Sequence, residues 1–263
     1  MDEIPSARRL DTPQELLRGS YPEPRLRLEV DLRLWMGSYL QTYLERDVRQ
    51  LTQVGDLVSF EQFVRLCAAR TAQLLRIDEL GRDAAVSSTT ARRWLSVLEA
   101  SAQFQRVAPY ARSRTKRMVK SPKLYAADTG FAAFLTGHRD EHVLWDGPMK
   151  GALFETAVFG EILKHFHNDG DVPAVFFWRS SDGLEVDFVI ETAGRLHAID
   201  AKASATPVPA MAEQLLAWRR VVGGAAGRTV IACDAAERCS LAPDVEAVPW
   251  RSLASFLGEL FSS

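Results

Sequence analysis

The chain has 263 residues, and its 32 basic and 34 acidic side chains give a formal net charge of −2. With 47% hydrophobic and 25% charged residues, it has the composition of a globular protein long enough for two compact domains. No apolar run approaches the roughly 20 residues that a membrane span needs, and Met1–Pro5 lacks a signal-peptide core, so we expect a cytoplasmic protein without a membrane partner.

The first 58 residues carry little chemistry. Residues 1–30, rich in proline and arginine, are expected to be irregular or only locally helical, and residues 31–58 to form a helical connector. Helical periodicity covers Leu32–Asp47 and Ser59–Leu75, with aromatic and aliphatic side chains that we assign to a core. These residues therefore predict structure and no binding site.

Residues 77–100 have the pattern of a helix-turn-helix. A short helix over Ile77–Val86 is followed by a tight turn, with Ser87 or Ser88 as the N-cap of a second helix, Thr89–Ala100. Ala91, Leu95 and Leu98 would face inwards, with Trp94 at the flank. The second helix of such a pair can enter a DNA major groove, and its outward residues are Thr89, Thr90, Arg92 and Arg93.

A basic loop follows between two short predicted strands, Val107–Tyr110 and Lys123–Tyr125, and completes a predicted winged-helix domain over residues 59–128. Between Arg92 and Lys123 there are nine basic residues and one acidic residue, whereas residues 146–263 contain ten basic and sixteen acidic ones. This asymmetry favours DNA as the partner of the basic half. We expect Arg92 and Arg93 near bases, and phosphate contacts from Arg112, Arg114, Lys116, Arg117 and Lys120.

A charge run is also what an ordinary solvated surface shows, and winged-helix modules also serve as scaffolds between proteins or domains. Sequence alone shows no fit to a groove. Both interpretations of the basic half therefore remain open at this point.

After a predicted linker over residues 129–145, a second domain is expected over residues 146–263. Its first element is a helix over Met149–Phe166, in which Glu155 lies beside the apolar stripe and would point towards a sheet. A glutamate at the edge of such a stripe is more often a surface residue. Glu155 alone therefore indicates no function.

The strongest feature is a predicted hairpin made of Glu185–Ile190 and His197–Lys202. Alternation places Val186, Phe188 and Ile190 on one face and Asp187 on the other. A two-residue Ala193-Gly194 turn and a four-residue loop both set Asp187 opposite Asp200, with Cβ atoms roughly 5 Å apart, so that one cation could bridge both carboxylates. The alternative is a solvated edge hairpin with an ordinary Asp187–Lys202 ion pair.

The order of these elements resembles the PD-(D/E)xK superfamily, with its restriction-endonuclease-like fold. The resemblance implies an α/β (α+β) domain with a mixed sheet flanked by helices, in which Glu155, Asp187 and Asp200 bind Mg²⁺ or Mn²⁺ and Lys202 completes the catalytic set. Val186 stands where the family has proline. The dispersed cysteines, Cys67, Cys233 and Cys239, and the absence of an HExxH motif exclude the common zinc patterns.

Several further motifs, in order, resemble the C-terminal region of a prokaryotic AAA-type P-loop ATPase family, a region classified there as a domain of unknown function. They are Gly19–Pro24, Tyr39–Arg49 and Lys120–Gly130. No GxxxxGK[ST] motif occurs, so we expect neither a nucleotide cofactor nor ATPase activity, and residues 1–30 would be the remnant of a missing ATPase domain. The resemblance implies an ATPase domain or subunit as a partner, and leaves open whether the chain is truncated.

Two functions follow from the sequence. The first is a DNA-binding protein with a metal-dependent, phosphodiester-hydrolysing domain. The second is a non-catalytic DNA-binding, regulatory or assembly module of an AAA-type ATPase, because a fold does not establish an activity. The sequence leaves the oligomeric state open.

Overall fold

The computed structural model of the chain describes residues 10–48, 56–110, 121–168, 170 and 174–261. The elements before residue 147 are mostly helical, and a π-helical stretch, Tyr43–Val48, extends the third helix. In chain order they are α1 Thr12–Arg18, α2 Pro22–Leu26, α3 Leu32–Thr42, α4 Leu57–Ala68, β1 Gln73–Leu74, α5 Ile77–Asp83, α6 Ser88–Ala100, β2 Phe104–Pro109, β3 Lys123–Ala126, α7 Thr129–Leu135 and α8 Glu141–Asp146.

The elements from residue 150 onwards alternate a long helix, strands and shorter helices. They are α9 Lys150–Asn168, β4 Val175–Arg179, β5 Glu185–Thr192, β6 Arg195–Lys202, α10 Glu213–Val222, β7 Ala226–Cys233, β8 Cys239–Ala242, β9 Val245–Pro249 and α11 Leu253–Phe261, with 3₁₀ turns at Pro209–Ala212, Gly223–Ala225 and Trp250–Ser252. None of the helices in the described ranges combines the length and apolar character that a bilayer crossing requires.

A single mixed sheet runs through both halves of the chain, in the order β1-β3-β2-β4-β5-β6-β7-β9-β8. β1, β3 and β2 pair antiparallel, and β2 then pairs parallel with β4 through Ala108↔Phe176 and Pro109↔Phe177. β4, β5 and β6 are antiparallel neighbours, β6, β7 and β9 are parallel, and β8 closes the edge antiparallel to β9. The chain is therefore a mixed α/β protein, as expected.

Helix α6 forms because a cap and an apolar stripe coincide. Ser87 is the N-cap, and its Oγ accepts from the backbone N–H of Thr90 at 3.1 Å. Ala91, Leu95 and Leu98 are buried as predicted, whereas Trp94, predicted at the flank, is also buried. The indole packs edge-on against Phe60 and Phe63 of α4, which pulls it into the core.

The predicted linker over residues 129–145 contains α7 and α8. Asp128 caps α7 through the N–H of Phe131 at 2.7 Å, and Asp140 caps α8 through the N–H of Val143 at 3.0 Å. The buried Asp128 carboxylate also accepts from the N–H of Ser20 at 2.6 Å and from its hydroxyl at 2.9 Å. Asp128 thereby fixes the turn between α1 and α2, within the segment that we expected to be irregular or only locally helical.

The sheet carries an apolar layer on each face. One core joins residues from Leu16 to Leu257, including Phe188, Ile190 and much of α9, so both halves of the chain share it. The other core packs Val186 and Val189 against Trp218 of α10. The prediction that Val186 shares a face with Phe188 and Ile190 is thus wrong.

The reason is a register shift in the pairing of β4 with β5, between Phe176 and Trp178. An extra residue on one strand interrupts the strict alternation of faces and bends that strand locally. The interruption falls at Asp187, because Val189 pairs with Phe176 whereas Val186 pairs with Trp178. This irregularity lies in the part of β5 that carries Glu185 and Asp187, two of the acidic residues described next.

Candidate functional site

The predicted hairpin is present, and its turn determines the register. Thr192 pairs with Arg195, which leaves Ala193 and Gly194 as a two-residue turn with φ values of 48° and 75°. Two consecutive positive φ values are those of a type I′ turn, whose twist matches that of the strands. Of the two predicted turn lengths, the two-residue one is confirmed.

Asp187 and Asp200 meet at the open end of this hairpin. The last ladder pair is Phe188↔Ile199, one step before the predicted Asp187–Asp200 pair. Beyond this pair, the carboxylates accept hydrogen bonds from backbone N–H groups of the opposite strand. The N–H of Asp187 donates to Asp200 Oδ1 at 3.1 Å, and the N–H of Ala201 donates to Asp187 Oδ2 at 3.0 Å. Each carboxylate is thus fixed by a backbone donor of the opposite strand.

Lys123 of β3 reaches the same place from the first half of the chain. Its side chain is only 3% exposed, and its Nζ lies 3.0 Å from Glu155 Oε1, 3.0 Å from Glu185 Oε1 and 3.3 Å from Asp187 Oδ1. Tyr125, two residues further along β3, donates its hydroxyl to Glu155 Oε1 at 2.5 Å. We call Glu155, Glu185, Asp187 and Asp200 the acidic cluster; Lys123 is its central cation.

Lys202 lies on the more accessible side of the acidic cluster. Its Nζ is 3.6 Å from Asp200 Oδ2, and its side chain is 39% exposed. Arg179 contacts Glu185 Oε2 at 3.3 Å and is similarly accessible. The cluster therefore has a buried cation, Lys123, and two partly exposed cations beside it.

Burial and mutual repulsion shift the pKa values of two carboxylates of the cluster, Glu155 and Asp200. Burial, followed by the neighbouring Asp187 carboxylate, raises the pKa of Glu155 to about 7 and that of Asp200 to about 7. Burial alone would lower the pKa of Lys123, but Glu155, Asp187 and Glu185 raise it above its ordinary value. The pKa of Lys202 is raised by Asp200 and Asp187 against the effect of burial.

The donor set has the right chemistry for Mg²⁺ or Mn²⁺, which prefer oxygen ligands, but its arrangement fits an ammonium group. Carboxylate oxygens of Glu155, Asp187 and Asp200 already contact Lys123, Lys202 or backbone N–H donors. Among the residues that the structure describes, no three His, Cys, Asp or Glu side chains are gathered closely enough to hold a metal ion. As arranged, the three predicted ligands do not fit a divalent metal.

The predicted DNA-contacting residues divide into two groups. On α6, Thr89, Arg92 and Arg93 are exposed, and Thr90 is half-buried beside the N-cap. Arg92 forms an exposed ion pair with Asp78 at 3.3 Å. The loop residues fall outside the described residues: Arg112, Arg114, Lys116, Arg117 and Lys120.

Sequence reasoning missed Lys123, Tyr125 and Glu185 as members of the site. It placed Lys123 on a short predicted strand and counted it as one charge of the basic segment, without a carboxylate partner. The available signal was the strand β3 itself, in which Lys123 and Tyr125 share a face by alternation and all four residues are buried. A buried lysine requires carboxylate partners, so a lysine on a buried strand indicates carboxylates close to it in the fold.

Two known protein families match different parts of the chain. A domain-of-unknown-function family, DUF8612, matches residues 9–142, which is half of the chain. The chain belongs to the DUF8612 family. Beyond the DUF8612 region, a second domain of unknown function, DUF4143, matches residues 150–253 and is found in AAA-ATPase-associated proteins.

Two mycobacterial proteins are similar to this DUF8612 member. They are the uncharacterized proteins Rv2008c of Mycobacterium tuberculosis and Mb2031c of Mycobacterium bovis, each 30% identical over 192 residues. The matched region covers 73% of this chain and 43% of each relative, so the chain spans less than half the length of these curated relatives. No solved structure matches the chain.

Proposed function

We propose that this chain is a non-catalytic DNA-binding module that works with an AAA-type ATPase domain or subunit. Two functions were expected from the sequence. The position of Lys123 favours the non-catalytic one. Its ammonium group lies between Glu155, Glu185 and Asp187, where hydrolysis would need a divalent cation. The acidic cluster, as arranged, holds the two halves of the chain together.

DNA binding is supported by the order of elements around α6. Helix α4, strand β1, helices α5 and α6, and strands β2 and β3 follow one another, with β1-β3-β2 forming an antiparallel sheet. This is the order expected of a winged helix, in which α6 would be the recognition helix. Thr89, Arg92 and Arg93 project from its exposed side.

The ion pair between Arg92 and Asp78 is compatible with this role. Both side chains are more than half exposed, and exposed ion pairs contribute only about 0–1 kcal/mol. Phosphate binding releases counterions and is favourable at moderate salt, so Arg92 can exchange Asp78 for a phosphate. Arg93 adds a second exposed charge one position further along α6.

Partnership with an ATPase rests on the match to DUF4143, a domain found in AAA-ATPase-associated proteins. The relatives are more than twice as long as the region that they share with this chain. The module would then couple an ATPase to DNA.

The proposal is tested by measuring duplex DNA affinity by fluorescence anisotropy over a range of salt concentrations. Replacing Arg92 and Arg93 by alanine should weaken binding by about tenfold or more, and should lower the slope of log K against log salt. Arg228→Ala with Arg238→Ala removes two exposed charges from the other half and should change neither quantity much. Equal affinities for the wild type and the α6 variant would refute the role of α6.

Hydrolysis is the second candidate, because the four residues predicted from the PD-(D/E)xK resemblance lie in or beside one cluster. Glu155, Asp187 and Asp200 share it, and Lys202 contacts Asp200. Plasmid and single-stranded DNA should stay intact with Mg²⁺ or Mn²⁺ if the module is non-catalytic. Cutting by the wild type that is lost in Lys202→Ala, with DNA affinity retained, would replace our proposal by the nuclease.

A further inference from the structure

A cavity of about 540 Å³ lies in the helical half of the chain, between α1, α3 and the region of α7 and α8. Because Arg18, Arg33 and Arg139 line it, we call it the arginine cavity. Ligand pockets in proteins usually enclose about 300–1,000 Å³. We propose that the arginine cavity binds a small organic anion, in which a carboxylate or phosphate group is attached to an apolar body. This site is independent of the proposed DNA binding.

The inner surface of the arginine cavity can hold the apolar body of such a ligand. Leu17 of α1 and Met36 of α3 are buried there, and Leu28 and Phe134 are half-buried. Gly130 also lines the cavity, and its lack of a Cβ atom lets α7 approach α1 closely. A ligand chain placed against these side chains would lose contact with water, which favours binding in proportion to the apolar area buried.

The three arginines keep their charge without a bonded carboxylate. Arg18 donates from Nε to the carbonyl oxygen of Pro24 at 2.8 Å and from Nη2 to that of Arg27 at 3.1 Å. Arg139 donates to two backbone carbonyl oxygens, at 2.9 and 3.0 Å. In the part of the chain that the structure describes, no carboxylate lies within ion-pair distance of these two guanidinium groups or of Arg33. Donors of all three remain for an anion, since a guanidinium has five N–H groups.

Arg139 lies close to other positive charges at the rim of the cavity. Burial, followed by the charges of Arg33 and Arg65, lowers its pKa. Arg65 is compensated by Glu61 at 2.8 Å, whereas Arg33 is not. The guanidinium carbon of Arg139 is 4.6 Å from the ring centroid of Phe134, so the charge sits directly beside the apolar surface. An anionic group next to Arg33 and Arg139 would relieve their repulsion and accept charge-assisted hydrogen bonds.

Two acidic residues also line the cavity, but they leave a positive balance. Asp31 is the N-cap of α3 and accepts from the N–H of Leu34 at 3.0 Å. Glu141 lies in the first turn of α8. Burial lowers the pKa of Arg18, and the opposing attraction of Glu141 is weaker. Three arginines against two carboxylates give a net charge of +1, which favours an anion over a cation.

The shape of the cavity favours a small molecule over a macromolecule. DNA presents phosphates to a protein surface without an apolar group that could reach Leu17 and Met36. A closed contact with both the arginines and these buried side chains requires a ligand that carries an anionic head and an apolar tail in one small molecule.

The test is isothermal titration calorimetry on the full chain with octanoate, octyl phosphate and neutral 1-octanol. Both anions should bind at one site, and 1-octanol at least about tenfold more weakly. Arg33→Gln with Arg139→Gln should weaken binding of both anions by at least about tenfold and leave that of 1-octanol unchanged. Arg220→Gln with Arg228→Gln removes two exposed charges elsewhere and should change nothing. The tighter of the two anions identifies the head group.

Equal affinities for octanoate, octyl phosphate and 1-octanol in the wild type would overturn the inference, and this comparison needs no variant to fold. No binding of either anion at about 1 mM, or unchanged anion affinity in Arg33→Gln with Arg139→Gln, would do the same. Leu28→Trp should narrow the cavity without removing a charge, so unchanged anion affinity in this variant would place binding elsewhere and also refute the site.

Duplex DNA separates this site from the proposed function. The affinity for octanoate should be the same with and without saturating duplex DNA. Loss of octanoate binding when DNA is added would assign the three arginines to the DNA surface and overturn the inference. A protein that binds octanoate and no DNA would refute the proposed function and leave the arginine cavity supported.

Discussion

The backbone N–H of Asp187 donates to the carboxylate of Asp200 at 3.1 Å, at the point where the hairpin ladder ends. A backbone dipole thus offsets part of the repulsion between two neighbouring carboxylates. The offset is incomplete, because burial and Asp187 still raise the pKa of Asp200 to about 7. The stability of the protein should therefore report on this contact through its dependence on pH.

Asp200→Asn should remove a pH-dependent destabilisation. The pKa of Asp200 is higher in the folded than in the unfolded chain, so the folded state binds the proton more tightly and this carboxylate destabilises the fold as pH rises from about 4 to about 7. The free energy of unfolding of Asp200→Asn, relative to the wild type, should therefore increase over this window and level off above it. Urea unfolding at several pH values measures the difference.

Asp140→Asn is the matched control, because the pKa of Asp140 is lowered in the folded protein whereas that of Asp200 is raised. Hydrogen bonds from the N–H groups of Val143 and His142 lower the pKa of Asp140, so its contribution to stability is lost only as pH falls below its ordinary range. Its effect should be constant between pH 5 and 8. A constant effect of Asp200→Asn over the same range would contradict the assigned environment of Asp200.

Gly130→Ala should destabilise the contact between α1 and α7. A Cβ atom at Gly130 would lie 2.6 Å from the carbonyl carbon of Arg18 and 2.7 Å from the nitrogen of Gly19, both of them backbone atoms. Relieving that overlap requires the helices to separate, at a cost of about 1–3 kcal/mol. Gly160→Ala on α9 meets nothing within 4 Å and should be neutral or stabilising by up to about 1 kcal/mol. Thermal unfolding of the two variants provides the comparison.

Asp128→Ala should loosen the N-terminal segment selectively. The substitution removes the cap of α7 and leaves the N–H and hydroxyl of Ser20 without their acceptor, a loss of about 2–4 kcal/mol. Hydrogen exchange should show the amides of residues 12–26 losing more protection than those of β6 and β7. Asp140→Ala removes an exposed cap from α8 and should leave residues 12–26 protected; similar patterns in both variants would argue against the Asp128–Ser20 contact.

The turn of the hairpin offers a test of backbone strain. Ala193 has φ 48°, which is unfavourable for a residue with a Cβ atom, and Gly194 has φ 75°. Ala193→Gly should stabilise the protein by about 0.5–1 kcal/mol. Gly194→Ala should destabilise it by about 1 kcal/mol through its positive φ; a clash adds nothing, since nothing lies within 4 Å of the added Cβ atom. Chemical denaturation should show changes of opposite sign in the free energy of unfolding of the two variants. Changes of the same sign would exclude the type I′ turn.

Local chemistry explains what the sequence could predict. The hairpin and its register follow from alternation and a short turn, and the N-cap of α6 is Ser87, one of the two predicted caps, so neighbouring residues contain the information. Both boundaries of α9, predicted over Met149–Phe166, lie within two residues of the observed Lys150–Asn168. These elements needed no knowledge of the rest of the chain.

Non-local pairing explains what was missed. Lys123 and Glu155 belong to different halves, and their contact depends on the position of β3 relative to the strands of the second half, which no local pattern encodes. The face of Val186 was mispredicted for a related reason, because the irregularity beside Asp187 arises in the pairing of β5 with β4. The same limit applies to the turn fixed by Asp128, whose partner is Ser20.

The parallel pairing of β2 with β4 also bears on how this protein can be divided. The two family matches end at residue 142 and begin at residue 150, which invites separate expression of each half. Cutting there would expose unpaired backbone groups of Phe176 and Phe177 on a newly created edge strand, and such edges promote aggregation. The boundary between the families is therefore no boundary between folding units, and a fragment of either half would need its missing neighbour strand to remain monomeric.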